Sequence, residues 1–207
     1  HHFRQASNII FLSSLISSSS CSVDFSIYSV LKDNISNVQT HSVKGLTNND
    51  CYKKGKKITP KGVFVHSTGA NNPTLKRYVQ PDIQGIGLNQ YNNDWNRGGI
   101  QKCVHAFIGK LDNGTIATVQ TLPWDHRGWH SGQGSKGSAN DTHIGFEICE
   151  DGLTDRTYFM KVYTEAVELT AYLCKQYNLD PLKDGVVICH SEGHKRGIAS
   201  NHGDVMH

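Results

Sequence analysis

The chain reads as an α/β domain with a central mixed β-sheet flanked by helices. Three observations predict this. Short apolar runs bounded by Gly and Pro recur along the chain, an Asn-Gly turn joins one pair of them, and one long stretch repeats its apolar residues every three to four positions. Strands interleaved with a hairpin and a helix build a sheet whose strands run in both senses.

Taken in order, Val63-Phe64-Val65-His66 follows Pro60 and Gly62 and predicts a buried strand. Lys53-Lys54-Gly55-Lys56-Lys57 before it reads as a solvated basic loop. Asn71-Asn72-Pro73 can open a short helix reaching Tyr78, because Pro suits a first helical position. Residues 84–99 are rich in Gly and Asn and read as loop. Residues 104–110 and 115–122 flank Asp112-Asn113-Gly114, which predicts a hairpin. Ile144, Phe146 and Ile148 alternate with His143, Gly145 and Glu147, so that strand carries Glu147 on the face opposite its apolar one. Residues 154–177 predict the main helix. Thr154 or Asp155 caps it, and Phe159, Val162, Ala166, Leu169, Leu173 and Tyr177 form its apolar stripe. Val186-Val187-Ile188-Cys189 predicts a last buried strand.

The totals exclude several classes. The 207 residues suggest one domain plus an additional segment. Counting Gly and leaving out Tyr, about 43 % of them are apolar, near the globular norm of roughly 45–50 %. No apolar run reaches the ~18 residues of a spanning helix. The net charge of +3 permits a polyanionic partner without demanding one. There is no P-loop, no G-x-G-x-x-G and no interleaving of aromatic with basic residues, so neither nucleotide nor nucleic acid is an expected partner. The six Cys contain no C-x-x-C pair. Cys103, Cys149, Cys174 and Cys189 read first as buried free thiols, with a Cys189–His nucleophile pair as an open alternative.

Composition breaks near residue 45. The Ser-rich start holds Arg4, the apolar patch Ile9-Ile10-Phe11-Leu12, and Ser17-Ser18-Ser19-Ser20 before Cys21. Residues 1–45 are therefore expected to be either a secretory signal with a linker or a disordered leader. The globular domain is expected to span 46–207. With no Met at its start and an abrupt stop at Val205-Met206-His207, the chain reads as a fragment or processed product.

Two buried-type strands end in histidine, at His66 and His190, and His202-Gly203-Asp204 follows downstream. A single such His is usually structural. Two, joined by a carboxylate, meet the nitrogen and oxygen donor set that a catalytic zinc uses while keeping one position open. His190 and His194 are four apart, but the stretch is not H-E-x-x-H, and Gly193 weakens a helix there.

Four separated stretches now resemble a known family. Val63-Phe64-Val65-His66-Ser67-Thr68, Gly128-Trp129-His130-Ser131-Gly132, His143-Ile144-Gly145-Phe146-Glu147-Ile148-Cys149 and Cys189-His190-Ser191-Glu192 occur in the order found in zinc-dependent N-acetylmuramoyl-L-alanine amidases of the type 2 group. These share a fold with the peptidoglycan recognition proteins. The Gly145–Glu150 and His190–His202 stretches look most like clostridial and clostridial-phage members. The resemblance implies a peptidoglycan recognition protein/amidase-like fold, Zn2+ on His66, His190 and Asp204, and Glu147 as the catalytic acid–base. Trp129 and His130 would line the substrate cleft. Many members carry Lys where this chain has His202, which would then stabilise the oxyanion. The implied reaction is cleavage of the amide between N-acetylmuramic acid and L-alanine in peptidoglycan. The implied setting is the cell wall or extracellular space, as for a phage endolysin or a bacterial autolysin, and the domain would act as a monomer. A peptidoglycan-binding module without turnover and a Cys-dependent amidase are the alternatives. Without the other motifs, Glu147 would read as a half-exposed structural carboxylate.

Overall fold

A computed structural model of the chain describes residues 46–82, 85–202 and 204, and the backbone of residues 41–42. The expected leader and its possible signal lie outside the described residues, apart from those two backbone positions.

Six strands form one sheet: β1 (His41–Ser42), β2 (Gly62–Ser67), β3 (Ala106–Lys110), β4 (Ile116–Gln120), β5 (His143–Ile148) and β6 (Val187–Cys189). Their order across the sheet is β1-β4-β3-β5-β2-β6. The β3–β4 hairpin pairs antiparallel and every other neighbour pairs parallel, so the sheet is mixed, as expected. The hairpin turns where the Asn-Gly signal stands. Gly114 adopts φ +82° and donates its N–H to the Leu111 carbonyl at 2.9 Å.

The main helix, α2 (Arg156–Gln176), begins where the Asp155 carboxylate accepts the N–H groups of Thr157 and Tyr158. This satisfies two of the four donors that a helix start leaves open. Its buried stripe runs through Tyr158, Val162, Ala166, Leu169 and Leu173, against Val63, Ala106, Ile108, Ile144 and Phe146 of the sheet. The stripe enters through Tyr158 rather than Phe159, because the Tyr158 hydroxyl donates to the Cys149 carbonyl at 2.5 Å. Each of the large side chains buried there contributes roughly 1.5–3 kcal/mol. Among the described residues, no helix is long and apolar enough to cross a membrane.

Three local expectations are corrected. Asn71-Asn72-Pro73 does not open a helix. Asn72 Oδ1 accepts from the Thr74 N–H and hydroxyl, and the Pro73 carbonyl accepts the Lys110 N–H at 2.7 Å, leaving only a 3-10 turn at Leu75–Arg77. Lys53 and Lys54 close a helix, α1 (Asp50–Lys54), capped by Asn49 and ended by Gly55 at φ +60°, so they are not loop. The third correction concerns His190, which opens helix α3 (His190–Lys195). Gly193 permits that helix, because a Cβ there would lie 2.7 Å from the Phe64 ring. The free-thiol expectation holds for Cys103, Cys149 and Cys174, and Cys51 is free as well. Cys189 departs from it, being disulfide-bonded.

His105 ties β3 to β5. Its Nδ1 accepts the Gly145 N–H at 3.0 Å, and its Nε2 donates to the His126 carbonyl at 2.7 Å. A proton on Nδ1 would set donor against donor, and burial pulls its pKa from 6.5 to about 4. The folded value is depressed, so the stability is complete above pH 6.5 and drains away as pH falls towards 4. His105→Asn should flatten this slope relative to the parent by roughly 2–4 kcal/mol across that window, read from urea midpoints at several pH values. Leu169→Ala, at the fully buried centre of the α2 stripe, should cost about 2–5 kcal/mol in the same experiment.

Candidate functional site

The sheet register assembles the site. Side chains alternate along a strand, so Phe64 and His66 of β2 share one face and Val63 and Val65 take the other, beneath α2. The parallel pairing sets His66 opposite Glu147 on β5 and Val65 opposite Cys189 on β6. The residue after Cys189 is His190, which therefore emerges beside His66. The two imidazole centroids stand 5.2 Å apart. Phe64 is the apolar floor. Its ring stacks on His66 at 4.7 Å and meets His190 edge-on at 5.6 Å.

Asp204 reaches back from the closing segment, and its carbonyl accepts the Ser191 N–H. Its carboxylate lies 2.9 Å from His66 Nδ1 and 3.2 Å from His190 Nδ1. The three donor atoms lie within 4.8 Å of one another. Both histidines are buried and Asp204 is half-buried. Each ring has its other nitrogen engaged: His190 Nε2 lies 3.0 Å from the Ser200 carbonyl, and His66 Nε2 lies 3.0 Å from His130 Nδ1. The donor set suits a divalent metal. Bonds of ~2.0–2.2 Å to zinc in a tetrahedron put neighbouring donors roughly 3.3 Å apart, near the two carboxylate–imidazole separations of 2.9 and 3.2 Å.

Burial shapes the electrostatics. It pulls the His190 pKa down to about 4 against the opposing charge of Asp204, which keeps the ring neutral and able to ligate. Burial pushes Asp204 up, but its hydrogen bond to His66 and the two imidazoles beside it together hold it below the ordinary carboxylate value. Glu147 goes the other way. Burial first, and the Asp204 charge second, raise it well above the ordinary value. Among the described residues, Glu147 Oε2 and the Tyr78 hydroxyl are buried side-chain polar atoms without a hydrogen-bond partner. An unpaired buried carboxyl oxygen costs about 1–3 kcal/mol, so its presence beside His66 points to work rather than to structure.

The other expected residues divide. The exposed His202 ring lies 5.2 Å from His190, beside the cluster. Trp129 is 44 % exposed. The Arg127 guanidinium sits 5.1 Å over its ring, and a cavity there is also lined by Lys54 and Lys56. The His130 ring does not stand with Trp129, and sits between His66 and the His143 carbonyl. The sequence reasoning missed Asn140, whose buried Oδ1 accepts the N–H groups of His130 and Ser131. It also missed Phe64 as the floor. The alternation that placed His66 was a usable signal for Phe64, whereas nothing in the local pattern marks Asn140.

Known proteins resemble the chain in sequence and in fold. The sequence profile of the Amidase_2 family, N-acetylmuramoyl-L-alanine amidase, matches residues 55–204. N-acetylmuramoyl-L-alanine amidase CwlH of Bacillus subtilis is 42 % identical over 60 residues, which are 29 % of this chain and 23 % of that protein. The chain thus matches under a quarter of that relative's length. Among solved structures, a mutant endolysin from Bacillus subtilis gives a TM-score of 0.52 at 21 % identity, over 74 % of this chain and 86 % of that one. The hydrolase AmiA of Staphylococcus aureus, solved in complex with its ligand, gives 0.50 at 21 % identity, over 89 % and 82 %. At such identities the structural likeness speaks to the fold. The profile match runs through most of the chain and spans all three clustered donors, and on that basis the chain belongs to the N-acetylmuramoyl-L-alanine amidase family.

Proposed function

We propose that this domain hydrolyses the amide bond between N-acetylmuramic acid and L-alanine in peptidoglycan, using Zn2+ held by His66, His190 and Asp204. The observation that carries the reading is the convergence of two imidazole nitrogens and a carboxylate beside a buried, unpaired Glu147 oxygen. Zinc bound there would polarise the amide carbonyl and lower the pKa of a coordinated water from about 16 to about 7.

The chain's own groups supply the rest. Glu147 Oε2 takes a proton from the attacking water and returns it to the leaving amine nitrogen. A carboxylate raised towards neutrality suits both directions of that transfer. His202 donates an N–H to the oxygen on which charge develops. Trp129 offers a flat apolar surface for the glycan or stem peptide. Within the family we place the chain with the clostridial and clostridial-phage members. Its working location is the cell wall or the extracellular space, and its catalytic unit is the domain that starts near residue 46. A Cys-dependent route has less support, because Cys189 is disulfide-bonded and carries no free thiol.

Purified cell wall tests the reaction. The protein should release soluble stem peptide and expose new amino termini, lose that activity in chelator, and recover it with added zinc. Full activity in chelator would sink the metal mechanism, and wall binding without release would make the domain a binding module. Glu147→Gln should bind zinc as the parent does while turnover falls roughly 10²–10⁴-fold. Near-normal turnover in that variant would remove Glu147 from the chemistry.

A further inference from the structure

His130 is walled into a slot. A Cβ on Gly145 would lie 2.6 Å from its Cγ, and one on Gly128 would lie 2.9 Å from its Cδ2. Phe64 packs against the ring at 5.5 Å and His105 at 6.0 Å. The His130 N–H is tied to Asn140 Oδ1 at 2.8 Å. The ring is half-buried there, packed over the bare faces of Gly145 and Gly128.

The directions of its hydrogen bonds follow from its neighbours. The His143 carbonyl, 3.3 Å from His130 Nε2, can only accept. His130 Nε2 therefore carries the hydrogen, and a neutral ring then has one acceptor left, Nδ1. That atom lies 3.0 Å from His66 Nε2, which must donate to it. His66 Nδ1 lies 2.9 Å from the Asp204 carboxylate, which can only accept, and a metal bound there would take that nitrogen's lone pair in place of its hydrogen. His190 is held in the same way by a single carbonyl, that of Ser200 at 3.0 Å. His66 has a second imidazole interposed between it and its carbonyl.

We infer that His130 is a positioning residue: it accepts from His66 Nε2, and so determines which His66 nitrogen is presented to the metal. This reassigns it from the substrate cleft to the support of the donor cluster. The hydrogen-bond chain stands on the fold alone, whereas its consequence for zinc rests on the proposed metal reading.

The test has two arms on the full chain. In ¹⁵N-histidine-labelled protein, long-range ring correlations should show His66 protonated at Nε2 and His130 unprotonated at Nδ1, with and without zinc. A hydrogen on His130 Nδ1 facing a bare His66 Nε2 overturns the inference, whatever zinc does. In the second arm, zinc affinity is measured by competition with a chromophoric chelator. His130→Ala should weaken it roughly tenfold to a hundredfold, the usual effect of removing such a support. His130→Asn, whose Oδ1 stands near the lost Nδ1, should restore most of that loss. Equal affinity in parent and Ala variant overturns the positioning role while leaving the metal reading intact. A parent that binds no zinc but shows the expected His66 hydrogen defeats the metal reading, overturns the positioning of a metal ligand with it, and leaves only the direction of the His66–His130 hydrogen bond. If His130→Ala does not fold, as judged by its melting curve, the parent's ring correlations and His130→Asn decide the matter.

Discussion

The site depends on the parallel seating of β2 between β5 and β6. This register alone sets His66 opposite Glu147 and brings His190 to the same edge. A shift of one residue would turn His66 under α2 and Val65 into the cluster, because side chains change face at every step. The apolar core on the α2 side opposes that shift. Val63 and Val65 would leave it together. The geometry of the donors is thus held by burial on the opposite face of the same sheet.

Crowding on the site face follows. Phe64 lies within 6.1 Å of four imidazoles, those of His66, His130, His143 and His190. The rings fit because Gly145 and Gly193 have no side chain where they pack. Their burial keeps His130 and His190 neutral, and neutral imidazole is the form that accepts hydrogen bonds and binds metal. The same desolvation holds Glu147 close to its protonated form. One dry environment therefore produces both ligand-competent histidines and a carboxyl able to trade protons.

Some features were legible locally. The β3–β4 hairpin follows from Asp112-Asn113-Gly114, and α2 follows from its three-to-four spacing and the Asp155 cap. Helices α1 and α3 were not legible, because both are short and take their stability from what they pack on. Cys51 of α1 lies against Cys103 and Leu122, and Gly193 of α3 lies against Phe64. The helix expected at Pro73 failed for the converse reason, since the carbonyl there found a partner in Lys110 on β3.

By itself, the sequence determined the α/β class, the apolar strands and the residue types at their ends. It therefore identified His66, His190 and Asp204 as candidates, and the family motifs added Glu147 and sharpened the proposed roles. Strand alternation and helical spacing are local rules that each segment carries within itself. Tertiary structure alone decided that Asp204 returns to lie between His66 and His190, that the Oε2 atom of half-buried Glu147 is shut away without a hydrogen-bond partner, and that the His130 ring lies 3.0 Å from the ring of His66. These are relations between segments up to 138 residues apart. They arise from register and desolvation, which no local window of sequence contains.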